Sequence, residues 1–481
     1  MAETFLFYDI ETTGLSRAFD QIIEFAAIRT DDGLTEIDRF TATIRLRPDV
    51  IPSPAAMLVN RLSLADCLSG RSEYDALREI HAQLNRPGTV SIGYNSIGFD
   101  DEFLRFAFHR NLLPPYTHQF ANGCRRMDLF PMTLMYWLYR RDLIDWPELN
   151  GTPSLKLEDI GAANHLFSGP SHQALADVEA ALRLARLLFK ETRMWQYLDG
   201  CFRKEIDARR IEELPVAFSS AAGEHRLALL MAGEIGTRQR FQAPVIALGR
   251  SVPYPKQSLW LRLDRPALRT CRTDTISEST WVFRKRAGEP GILLPPAARY
   301  MEALEPDRRE EMERNLAWIR SQPALFEAVA GHHCRFRYPF IPGLDPDASL
   351  YQTGFWSRAD EALCREFHAA PAAEKVLLPQ RFAHPEAGLL ARRILFRNFE
   401  EMLTPELIAA RELHLQRLCD PTPMSDFNGQ PRTTPGAALG EIRRLRESSG
   451  LDETGRRILD ELYDHLTGRF GGAPPPAVSG S

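Results

Sequence analysis

Asp9, Glu11, Asp100, His172 and Asp177 are the side chains whose types and spacing could do chemistry. Asp9 and Glu11 close the run Phe5-Leu6-Phe7-Tyr8, a continuous apolar stretch that reads as a strand buried on both faces. Residues two apart in an extended chain point to the same side, so both carboxylates project together from the end of a core strand. Carboxylates that close repel, and one pKa rises strongly unless a cation sits between them. Hard divalent cations such as magnesium or manganese select oxygen ligands of this kind. Two solvated acids at a strand end are the plain alternative. Asp100 stands where a loop becomes a helix, since Phe103, Phe106 and Ala107 continue at helical spacing. Alone, it is equally explained as an acid favoured by the helix dipole and the free N-terminal amides. His172 and Asp177 are five positions apart, about 140° of helical rotation. For both to reach one site, His172 must stand on the entering loop and Asp177 one turn inside the helix. In isolation such a histidine reads as structural.

The elements that must hold these groups follow in order. Segments 22–29 (IIEFAAIR) and 40–46 (FTATIRL) predict strands around the turn signal Asp31-Asp32-Gly33. A helix is expected over 75–84 and a short strand over 89–94 (TVSIGY). Leu175, Val178, Leu182, Ala185 and Phe189 form an apolar stripe that predicts a helix over 173–190. Residues 1–195 therefore read as α/β. Beyond them prolines and glycines rise, and the runs 244–248 (PVIAL), 259–263 (LWLRL) and 280–283 (TWVF) predict a small barrel or sheet, closed by a helix near 307–320. His332-His333-Cys334 reads as loop rather than as a metal site. Residues 351–470 read as helical and charged, with 389–403 and 405–418 amphipathic. The end, 471–481 (GGAPPPAVSGS), reads as disordered.

Composition narrows the class. The 481 residues, 44% hydrophobic and 26% charged, describe an ordinary soluble globular protein of two to four domains. No apolar run approaches the ~18 residues of a membrane span, and no signal-peptide pattern opens the chain, so a cytoplasmic protein with no membrane association is expected. Seven scattered cysteines without a C-x-x-C pair argue against a disulfide framework and a zinc site. The net charge of −5 hides a segregated block: between Gly236 and Gly288 eleven basic residues face three acids. A positive block inside an acidic protein is an electrostatic footprint for nucleic acid.

Taken together, D-x-E-T-T-G at 9–14, N-x3-F-D at 95–100 and H-x4-D at 172–177 resemble the three-motif signature of the DEDD exonuclease superfamily, in its histidine-bearing branch. The similarity runs over most of the chain to the bacterial single-strand-specific exodeoxyribonucleases of that superfamily. It includes Gly93-Tyr94-Asn95, 99–102 (FDDE), 153–158 (PSLKLE), 350–357 (LYQTGFWS) and 395–398 (LFRN), and is weakest over the middle region. The resemblance implies an α/β ribonuclease-H-like nuclease domain over 1–195, an SH3-like β-barrel DNA-binding domain over 196–350 and an α-helical C-terminal domain over 351–470, before the tail 471–481. It implies 3′–5′ degradation of single-stranded DNA to 5′-mononucleotides by two-metal-ion hydrolysis, in DNA repair and recombination. Asp9, Glu11, Asp100 and Asp177 would hold two Mg2+ ions, with Mn2+ able to substitute. His172 would be the general base, its ordinary pKa near ~6.5 suiting it to accept a proton at neutral pH. Glu11, Arg105, Tyr116, Phe120, Arg126 and Lys156 are the implied substrate contacts. Lys156 stands where the family often has arginine, which exchanges a bidentate contact for a point charge. The implied partners are single-stranded DNA and the C-terminal tail of single-stranded-DNA-binding protein, and the implied state is a monomer. A compact exoribonuclease or proofreading subunit is the rival within enzymes, disfavoured by the long extension beyond residue 195. A degenerate binding module should have lost an acid or the histidine, and all five are present.

Overall fold

In the computed structural model, which describes residues 3–167, 173–221, 223–420, 422–448 and 450–470, the first apolar run becomes strand β1 (Thr4–Thr12). His172 and the tail 471–481 lie outside the described residues. The chain forms two compact units: Met1–Arg125 with Phe167–Glu179 and Phe340–Ser481, and Arg126–Leu166 with Ala180–Pro339.

In the first unit, Leu6, Tyr8 and Ile10 of β1 enter a core with Phe25, Leu77, Ile80, Phe103 and Leu104. Phe5 and Phe7, which alternate with them, are buried as well. Burial on both faces is why the run shows no alternation. β1 pairs antiparallel with β2 (Ile22–Thr30), which pairs antiparallel with β3 (Glu36–Thr43). On its other side β1 runs parallel to β4 (Thr89–Gly93), so the order within this unit is β3-β2-β1-β4; the next strand, β5 (Arg125–Asp128), passes into the second unit. The strand expected over 40–46 begins earlier, at Glu36, and ends at Thr43. Its first half is exposed and polar because β3 is an edge strand, so it carries no apolar signal. Pairing with β4 stops at Phe7↔Ile92, whereas pairing with β2 continues through Glu11↔Glu24 to Thr12↔Ile22. The acidic end of β1 thus runs on beyond its parallel partner.

The helices Pro385–Asn398, Pro435–Arg446 and Glu453–Phe470 belong to this same unit. Ile442, Ile458, Leu459 and Leu462 share a core with Ile23, Leu46, Val50 and Met57. Buried ion pairs complete the join. Arg397 pairs with Asp49 and with Asp347, each at 2.5 Å, and Arg393 pairs with Asp345 at 2.5 Å. Arg47 reaches Asp49 at 3.2 Å and Glu73 at 3.0 Å, Arg110 reaches Glu73 at 2.8 Å, and His414 Nε2 lies 3.0 Å from Asp49. Burial alone would raise these carboxyls. The Arg110 and Arg47 guanidinia outweigh it and bring Glu73 down to about 2, and Arg397 and its neighbours hold Asp49 and Asp347 well below the usual range.

The second unit is built on an antiparallel sheet: β6 (Val216–Ser220), β7 (Gly223–Met231), β8 (Gln242–Arg250), β9 (Gln257–Arg262), β10 (Val282–Arg286) and β11 (Ile292–Leu294). The order is β10-β9-β8-β7-β11, with β6 also on β7. The three predicted runs lie in or overlap β8, β9 and β10. The basic block is largely matched within this unit, since Arg250, Arg262, Arg269, Arg272, Lys285 and Arg286 pair with Glu212, Asp264, Glu311, Asp274, Asp207 and Glu289. His332-His333-Cys334, expected as loop, ends the helix Pro323–Arg335. His332 meets Ser277 Oγ at 3.2 Å and His333 meets Thr280 Oγ1 at 2.8 Å, so both rings serve packing. All seven cysteines are free, and no helix among the described residues is long and apolar enough to cross a membrane.

Candidate active site

The D-x-E-T-T-G stretch divides its labour between chemistry and backbone. The Thr13 amide donates to the Gln21 carbonyl at 2.9 Å, and its hydroxyl donates to Asp20 Oδ1 at 3.0 Å while accepting from the Gln21 amide at 2.9 Å. Asp20 also accepts from the Ser16 amide at 2.8 Å. A Cβ on Gly14 would lie 2.4 Å from Asp20 Oδ2, so only glycine fits that close approach. From outside, Asn60 Nδ2 donates to the Thr12 carbonyl at 2.8 Å, and the Ser53 amide donates to the Thr13 carbonyl at 2.7 Å. The threonines and glycine therefore fix where β1 ends, and the acids are left free of that task. Gln21 links this turn to the buried ion pairs, since its Oε1 accepts from the Arg47 amide at 2.8 Å.

Carboxylate oxygens of Asp9, Glu11 and Asp177 lie within 4.8 Å of one another. Asp177 comes from the first turns of the helix Ala174–Phe189, as its apolar stripe predicts. Asp100 is the first residue of the helix Asp100–Arg110, 7% exposed, and is the strongest charged influence on Asp9. Burial pushes the Asp9 carboxyl well above its ordinary range, and Asp100, Glu11, Asp177 and Glu24 add to the rise. Burial, then Asp177, Glu24 and Asp100, push Glu11 up to about 8. Every principal influence on these two groups opposes ionisation, and none is a protein cation. An all-oxygen donor set carrying uncompensated negative charge fits hard divalent cations, which would supply the missing charge.

A family model described as exonuclease matches residues 6–185. The exodeoxyribonuclease I of Escherichia coli is 30% identical over 377 residues, 75% of this chain and 78% of that protein. The chain belongs to the exodeoxyribonuclease I family. The Haemophilus influenzae member is 33% identical over 209 residues, 42% of this chain and 44% of its own. Among solved structures, E. coli exonuclease I in complex with a dA16 oligonucleotide superposes with a TM-score of 0.84 at 24% identity, covering 97% of this chain and 100% of that one. Exonuclease I from Methylocaldum szegediense gives 0.81 at 25% identity, covering 97% and 99%. Members of the exodeoxyribonuclease I family are metal-dependent 3′–5′ exonucleases of single-stranded DNA, and this chain is an exonuclease.

The implied substrate contacts of this exodeoxyribonuclease I family member are placed unevenly. Phe120 is 70% exposed. Tyr116 stacks against the Arg105 guanidinium, 5.5 Å from its ring centroid. Arg105 itself is buried, paired with Asp101 at 3.1 Å and with Glu102, and donates to Gln119 at 3.1 Å. Its charge is committed inside the protein, so it braces Tyr116 rather than presenting a free cation. Lys156 is exposed, while Arg126 pairs with Glu289 at 3.2 Å; both belong to the second unit. One residue escaped the sequence reading. Glu24 faces Glu11 across the strand pair, and its signal was available: it is the lone acid inside the apolar run 22–28.

Proposed function

We propose that Asp9, Glu11, Asp100 and Asp177 hold two magnesium ions at which single-stranded DNA loses 5′-mononucleotides from its 3′ end. The observation that carries this is the convergence of Asp9, Glu11 and Asp177 within 4.8 Å in an exodeoxyribonuclease I family chain. When bound, the cations supply positive charge against the charge that develops on the scissile phosphate. Binding them requires Asp9 and Glu11 to give up protons that burial and mutual repulsion make them hold. The fixed end of β1 keeps both groups in place during that loss. His172 accepts the proton of the attacking water. Tyr116, braced by Arg105, and the exposed Phe120 offer faces on which bases stack, and the exposed Lys156 offers charge to phosphates. The division 1–195, 196–350 and 351–470 into nuclease, SH3-like and helical regions is part of the same proposal. So are a cytoplasmic monomer acting in DNA repair and recombination, and binding of the tail of single-stranded-DNA-binding protein.

The test is digestion of a 5′-labelled single strand. With Mg2+ a ladder shortening from the 3′ end is expected, EDTA should abolish it, and an RNA strand of equal length should survive. Internal cuts, or equal loss of the RNA, would overturn the proposal.

A further inference from the structure

Four acids suffice for the proposed metal centre, yet a further carboxylate is built beside them. Glu24 on β2 is the direct cross-strand partner of Glu11, at the last pair before the ladder shifts register between Glu11 and Thr12. Like charges opposite one another destabilise a sheet. Among the described residues Glu24 has no ion-pair partner that would offset this, and it is one of the groups that raise the pKa of both Asp9 and Glu11. Its contact lies elsewhere: its carboxylate accepts from the Ala174 amide at 3.4 Å.

Ala174 is the first residue of the helix that carries Asp177. The first amides of a helix have no partner within it and must find acceptors outside. The Gln173 carbonyl takes the amides of Ala176 and Asp177, at 2.9 and 3.1 Å, and closes the first turn. Glu24 takes the amide of Ala174 from the neighbouring sheet. The chain of contacts thus runs from β2 through the helix start to Asp177, and β2 is hydrogen-bonded to the very stretch of β1 that holds Asp9 and Glu11. A negative group is also the one that a helix N-terminus favours.

We propose that Glu24 is a positioning residue: it docks the start of the helix Ala174–Phe189 onto β2 and so holds Asp177 within reach of Asp9 and Glu11. This presupposes the metal centre proposed above. The test is calorimetric titration of the metal-free, full-length protein with Mn2+, with melting curves recorded for each variant. Glu24→Met keeps the length and removes the acceptor, and Mn2+ affinity should fall about 10-fold or more, as for other groups that orient metal ligands. Glu24→Gln keeps an oxygen that can accept from Ala174, and should recover most of that loss. Ala174→Pro removes the donor at a first helical position, where proline is tolerated, and should reproduce the Glu24→Met loss even if Glu24→Met itself fails to fold. At saturating metal the KM for DNA should be unchanged in all three. Mn2+ affinity unchanged in Glu24→Met and Ala174→Pro, or an equal loss in Glu24→Gln and Glu24→Met, would overturn the proposal. Absence of Mn2+ binding by the wild-type protein would instead overturn the metal centre on which it depends.

Discussion

Glu11→Gln should stabilise the metal-free protein while removing its capacity to bind metal. The folded state pushes the Glu11 carboxyl from 4.5 up to about 8, so it holds its proton more tightly than the unfolded chain does. The stability that this contributes is fully present below about 4.5 and is lost as pH rises through about 8. At ~1.4 kcal/mol per pH unit the displacement sets a ceiling of roughly 5 kcal/mol. Asp9 shares the same repulsion, which brings the part belonging to Glu11 to about 2–3 kcal/mol. Glutamine resembles the protonated acid and does not titrate. In EDTA the two proteins should therefore melt together near pH 4.5, and the variant should melt later as pH rises. By pH 8.5 the gap should be about 5–10 °C, at roughly 2–4 °C per kcal/mol for a unit of this size. Saturating Mn2+ should reverse the order, since binding at about 1,000 times Kd adds about 4.1 kcal/mol to the wild type alone. Differential scanning calorimetry from pH 4.5 to 8.5, with and without Mn2+, reads all of this. Parallel pH profiles in EDTA would refute the reasoning, because they would mean that Glu11 is not held protonated by its surroundings.

Gly14→Ala should cost about 1–3 kcal/mol of stability and weaken Mn2+ binding measured by titration, because the new Cβ meets Asp20 Oδ2 at 2.4 Å and shifts the end of β1. Arg397→Met should cost about 3 kcal/mol in urea unfolding at pH 7, since Asp49 keeps Arg47 and His414, and Asp347 keeps Arg393, but both lose the guanidinium they share. Both carboxyls have depressed pKa values, so their paired form stabilises above the ordinary 3.8 and is lost as pH falls; the cost of the substitution should shrink in the same direction. His172→Ala should lower kcat by about 10²-fold or more with Mn2+ affinity retained, and a rate close to wild type would remove it from the role of base.

The acidic site was legible because its parts are local. A strand end, a helix start and a first helical turn each announce themselves in a few residues, and β1, the helix from Asp100 and the helix Ala174–Phe189 lie where periodicity places them. Glu24 stood out as a lone acid in an apolar run, but its pairing with Glu11 depends on register, which one strand's composition does not show. The basic block pointed to nucleic acid, as fits a family of single-stranded-DNA exonucleases, but the window overstates its charge. Counting a window ignores acids outside it: Asp207, Glu212 and Glu311 come from other segments, Glu289 stands just past its end, and together they offset part of the charge. The C-terminal helices were legible as helices, but their burial against Ile23, Leu46 and Asp49 depends on pairs hundreds of positions apart. Arg105 reads in sequence as a candidate cation for phosphate. The fold places it between Asp101 and Glu102 on its own helix, an i, i+4 and i, i+3 pattern that the spacing already allowed.

The central claim is that the carboxylates of Asp9, Glu11, Asp100 and Asp177 surround hard cations at one place. Anomalous diffraction at the manganese edge, from crystals of the protein soaked in Mn2+, tests it directly. Strong peaks bounded by Asp9, Glu11 and Asp177, with Asp100 beside them, are expected, and they should vanish in Asp177→Asn. Manganese bound elsewhere, with these carboxylates left unliganded, would contradict it.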